Sequence, residues 1–95
     1  MLNSKQRAKL RAAANDIETI LQIGKGGVNE MVVRQADTAL SARELIKLKV
    51  LENAPVSSRE AADELAGRIG ADVVQVIGTK AVLFRQNKKD SKFDI

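Results

Sequence analysis

Cysteine, histidine, tryptophan and tyrosine are all absent from this chain, and its only aromatic side chains are Phe84 and Phe93. Without cysteine there is no disulfide and no thiolate chemistry, which fits a reducing, cytoplasmic setting. Without histidine the commonest general base is missing, and metal sites built on His or Cys ligands are excluded. Asp63 with Glu64, and Glu52 or Glu60, read most simply as solvated charges. No nucleophile has a base at a workable spacing, so neither an enzyme, a cofactor nor a small-molecule substrate is expected. The scarcity of aromatics argues against modules that stack bases on aromatic platforms. No apolar run approaches the roughly 18–20 residues of a membrane span. The N-terminus carries interspersed charges in place of an apolar signal segment.

What is present is enough for one small domain. The 95 residues are 44% hydrophobic, too apolar for a disordered tail. A chain of this length buries only about 60–65% of its unfolded surface, so its stability is modest. The net charge is +4, and its distribution is uneven. Residues 1–11 hold four bases (Lys5, Arg7, Lys9, Arg11) and no acid, residues 12–79 seven bases against ten acids, and residues 80–95 five bases against two. Concentrated positive charge attracts polyanions and displaces their counterions.

Periodicity divides the chain into seven elements. Residues 4–14 read as a helix capped by Asn3 or Ser4, with Leu10, Ala13, Ala14 and Ile17 as a thin apolar stripe. Residues 19–23 are rich in β-branched side chains and read as a strand. From 28 to 41 apolar positions recur at helical spacing, with Gly27 near the N-cap. In 44–51, Ile46, Leu48 and Val50 alternate with Lys47 and Lys49, a half-buried strand. Pro55 breaks it, and Ser57 with Glu60 forms a capping box for a helix ending at about Ile69 before Gly70. Residues 72–77 and 81–85 are two more strands joined by a tight hairpin at Gly78-Thr79-Lys80. Phe84 belongs to the core. The remainder is polar and without period, a frayed tail. The order α-β-α-β-α-β-β specifies a single α/β domain with a four-stranded mixed sheet packed by helices. Its two strand–helix–strand units predict parallel neighbours.

The loop Gly24-Lys25-Gly26-Gly27 is the most informative stretch. Three glycines in four residues cost backbone entropy and require a reason. The turn leads into a helix N-terminus, where unpaired N–H groups favour phosphate, and Lys25 adds a full charge at the tip. A P-loop and a dinucleotide fingerprint both fail on spacing, since Val28 and Asn29 stand where those motifs need other residues. A G-x-x-G loop from Gly24 to Gly27, of the kind that clamps a nucleic-acid backbone, fits. Glu30, in the first helical turn, argues that any grip lies at the loop itself.

Beyond the loop, Ile23 to Glu30, Ala39-Leu40 with Arg43-Glu44-Leu45-Ile46-Lys47, Val74-Gln75-Val76-Ile77-Gly78 with Val82-Leu83-Phe84-Arg85, and Lys5-Gln6-Arg7 with Leu10-Arg11 together resemble the CRM domain, named for chloroplast RNA splicing and ribosome maturation, over roughly residues 2–86. Asn15 and Thr19 depart from the family's usual His and Pro. At this length the chain is similar to the bacterial stand-alone, YhbY-type members. The resemblance implies an αβαβαββ fold related to the C-terminal domain of translation initiation factor three, and an RNA-binding protein associated with ribosomal RNA in precursors of the large subunit. The RNA-binding domain would span 1–86 and the tail 87–95. The expected contacts are Gly24, Lys25, Gly26 and Gly27 in the loop, Lys5, Arg7 and Arg11 on the first helix, Lys47 and Lys49 on the second strand, and Arg85 after the last. Recognition would be of backbone and shape, with limited sequence preference. A DNA-binding, nucleoid-type protein and a protein-interaction module are the alternatives.

Overall fold

The computed structural model describes residues 2–87, 91 and 93. The elements are α1 (Ser4–Ala14), β1 (Thr19–Ile23), α2 (Glu30–Arg43), β2 (Leu45–Val50), α3 (Ser58–Ile69), β3 (Asp72–Ile77) and β4 (Lys80–Phe84), in the order read from the sequence. Among the described residues no helix is long and apolar enough to cross a membrane.

The sheet order is β1-β2-β4-β3. β1 and β2 are parallel, as their strand–helix–strand unit predicts, and β4 is antiparallel to both of its neighbours. The second unit departs from expectation: β2 and β3 run the same way, but β4 lies between them. Burial explains the insertion. Ala81, Val82, Leu83 and Phe84 are all buried, so β4 takes a central place covered on both faces, while β3, with Asp72, Gln75 and the exposed Ile77, takes an edge.

α2 and α3 cover one face, setting Val32, Ala36, Leu40, Ala61, Ala62 and Leu65 against Leu21, Ile23, Ile46, Leu48 and Leu83. The alanines let the helices approach the sheet closely. On the other face α1 lays Leu10 and Ala14 over Leu45, Val74, Val82 and Phe84, and the apolar stripe read from the sequence is its inner side. α1 covers only part of that face.

Caps set the helix ends. Asn3 and Gln6 form a capping box on α1, and Ser57 and Glu60 form the expected one on α3, which stops at Gly70 with φ +66. The N-cap of α2 is Asn29, not Gly27, and the helix runs two residues later than predicted. The Asn29 side-chain oxygen accepts the Val32 N–H at 2.9 Å, a service glycine cannot perform. At the other end of α2 the fully buried Glu44 adopts φ +66. Its N–H donates to Leu40, its carbonyl accepts from the Arg85 N–H at 2.8 Å, and its carboxylate accepts from the Asn87 N–H at 2.8 Å. The predicted tail is thus held at its first residue. Phe93 stands edge-on to Phe84, ring centroids 5.6 Å apart. Lys88, Lys89 and Lys92 of the tail lie outside the described residues.

Candidate nucleic-acid interface

Charge is divided between the layers. α1 and the four strands carry seven bases against one acid, a net of +6, whereas α2 and α3 carry four bases against five acids, a net of −1. The basic side is the one on which α1 lies.

The loop from 24 to 27 closes as a turn, the Gly27 N–H donating to the Gly24 carbonyl at 2.9 Å. The Gly27 N–H, in the turn expected to offer donors to phosphate, is thus taken up inside the loop. Gly27 is buried and its N–H is occupied, while Lys25 and Gly26 are exposed at the tip. The glycines have reasons internal to the fold. A Cβ on Gly26 would come within 2.7 Å of the Asn29 side chain, which is fixed as the cap of α2. Gly27 has φ +64, and a Cβ there would stand 3.1 Å from the Pro55 ring. Gly24 has only ordinary contact, 3.4 Å from Leu51.

Lys47 and Lys49 lie half-exposed on the α1 side of β2, beside the covered Leu45, as alternation predicts. Lys49 stands directly opposite Lys80 of β4. Among the described residues no carboxylate forms an ion pair with Lys25, Lys47, Lys49 or Lys80. Lys80 was not among the residues expected from the sequence. The turn at Gly78 and Thr79 fixes its pairing with Ile77, but only the sheet order brings it to Lys49. Leu51 bonds to Ile23 at 2.8 Å and Val50 to Thr79 at 2.7 Å, so the 24–27 loop, Lys49 and Lys80 gather at one end of the sheet.

Lys5 and Arg11 point outward from α1 and are exposed. Two expected contacts are engaged inside the protein. The Arg7 guanidinium donates to the carbonyls of Val73 and Val74, where the register of edge strand β3 shifts, and so fastens α1 to that edge. Arg85 pairs with Asp37 at 2.6 Å and donates to the Ile69 carbonyl at 2.8 Å and the Ser41 hydroxyl at 3.0 Å. It joins the end of α3 to α2 and faces away from the basic side. Among the described residues no cluster of acidic side chains could hold a metal ion.

The CRS1/YhbY (CRM) domain matches residues 2–85. The chain is 38% identical over 95 residues to YqeI of Bacillus subtilis, called a probable RNA-binding protein, covering 100% of this chain and 99% of the other. It is 30% identical over 91 residues to PA4753 of Pseudomonas aeruginosa, similarly named, covering 96% and 88%. The solution structure of the hypothetical protein SAV1595 from Staphylococcus aureus superposes with a TM-score of 0.84 at 41% identity, covering 100% and 99%.

Proposed function

The chain belongs to the CRS1/YhbY (CRM) domain family, and from that premise we propose that it binds RNA through the side carrying α1, the uncovered sheet corner and the 24–27 loop. The observation that carries this reading is the lysine pair across β2 and β4. Like charges directly opposite each other weaken a sheet by roughly 0.2–1 kcal/mol. Among the described residues no acid pairs with Lys49 or Lys80 to relieve that arrangement, and a phosphate over the two relieves it. Lys25 meets the backbone at the loop tip, Lys47 extends the contact along β2, and Lys5 and Arg11 widen the attraction along α1. Arg7 and Arg85 act by holding the surface in shape.

The family resemblance extends the reading to the RNA of large-subunit precursors, and to the cytoplasm as the compartment. Crosslinking in cells, followed by sequencing of the attached RNA, tests this. Enrichment of large-subunit precursor RNA is expected, and a profile matching bulk RNA counts against the ribosomal role. Because phosphate is common to both nucleic acids, a gel-shift comparison of structured ribosomal RNA with duplex DNA at one salt concentration distinguishes an RNA-binding protein from a DNA-binding one.

A further inference from the structure

Where α1 ends above the sheet there is a shallow pocket of about 140 Å³. Two cross-strand rows run past it on the uncovered face: Lys47, Val82 and Gln75, then Lys49, Lys80 and Ile77. Its apolar lining is Ala14, Val82 and Ile77, and Ile77 is 63% exposed, so its side chain is open to a ligand. Asn15, at the end of α1, and Gln75 supply carboxamides. Neither carboxamide has a hydrogen-bond partner among the described residues. Lys47 and Lys80 complete the rim.

A small apolar recess with a few uncommitted polar groups converging on it has the makings of a ligand site. Its volume lies below the roughly 300–1,000 Å³ of drug-sized sites, so it suits one ring system. A carboxamide both donates and accepts, as the edge of a nucleobase does. The neighbouring lysines supply the counterpart for the phosphate of the same nucleotide.

We propose that this corner receives one unpaired base of the bound RNA, laid on Ile77 and Val82 and read at its edge by Asn15 and Gln75. This rests on the RNA-binding reading above and adds to it a preference for unpaired nucleotides and for some bases over others. Aliphatic side chains take the place of the missing aromatic platform.

Fluorescence anisotropy on the full chain, with short single-stranded homopolymers of A, C and U and a blunt RNA duplex, tests it. Single strands bind more tightly than duplex, and the homopolymers differ by several-fold. Asn15→Ala combined with Gln75→Ala levels the homopolymers. Ile77→Trp, at an exposed position that does not threaten the core, tightens single-strand binding on the order of tenfold and leaves duplex binding unchanged. Homopolymers bound alike by the unaltered protein, discrimination that survives the double substitution, or no gain from Ile77→Trp overturns the proposal. Lys25→Glu separates the two ideas. If it weakens every RNA while the homopolymers bind alike, the loop reading stands and the pocket fails. If it changes nothing while discrimination persists, the pocket stands and the loop fails.

Discussion

A methyl group added at Gly27 would stand 3.1 Å from Pro55 on a backbone already at φ +64. Left-handed backbone costs an L side chain roughly 1–2 kcal/mol, so Gly27→Ala lowers stability by at least about that much, read as a drop in the urea midpoint. Gly70→Ala is the control. It shares the positive φ, but nothing lies within 4 Å of the added carbon, so its loss is smaller and isolates the contact with Pro55. The glycine-rich loop was legible as a special turn before a helix. What demands glycine there was not, because Pro55 and the capping Asn29 meet the loop only in the folded chain. Lys80 makes the opposite trade. Lys80→Glu turns a like-charge pair with Lys49 into an attractive one, raising stability by roughly 0.2–1 kcal/mol while weakening RNA binding. A variant that loses both stability and affinity contradicts the assigned role of the pair.

A helix end is legible where its cap is spelled out locally. The Ser57–Glu60 box was legible from four residues, and the structure adds its electrostatics. The Ser57 N–H, and secondarily its hydroxyl, hold the Glu60 carboxyl below its ordinary value of 4.5. The folded chain therefore releases this proton more readily than the unfolded one. The resulting stability is present above the unfolded pKa and is lost as pH falls through the lower, folded pKa. In urea titrations at descending pH, Glu60→Gln flattens that part of the decline, and Ser57→Ala, which keeps the N–H, flattens it less. The cap of α2 was misread by two residues because Gly27 and Asn29 are both cap formers, and only the side-chain bond to Val32 decides between them. Strand order was beyond reach for a different reason. Alternation tells which face a residue occupies, never which strand lies beside it, so β4 between β2 and β3, and with it the Lys49–Lys80 pair, could not be read. The internal bonds of Arg7 and Arg85 were out of reach for the same reason, since the carbonyls and carboxylate they meet are distant in sequence.

The molecule as a whole sorts its charge, basic on α1 and the sheet, slightly acidic on α2 and α3. Binding to single-stranded RNA releases counterions in proportion to the phosphates neutralised. Lys25→Gln and Lys49→Gln each reduce the slope of log affinity against log salt by about 0.7, whereas Arg59→Gln and Arg68→Gln, on the helical layer, leave it unchanged. Equal effects from all four would mean that the charge division has no bearing on binding.

β3 forms one rim of the sheet, and the rim of any sheet invites strands from other chains to add themselves. Arg7 reaches the carbonyls of Val73 and Val74 at the irregular stretch of that strand. The helix proposed to meet RNA therefore also covers part of that rim: with α1 seated, two of the strand's acceptors are taken by Arg7. Whatever lifts α1 away frees those carbonyls for intermolecular pairing, so the covering of this rim and the proposed RNA contact draw on the same eleven residues.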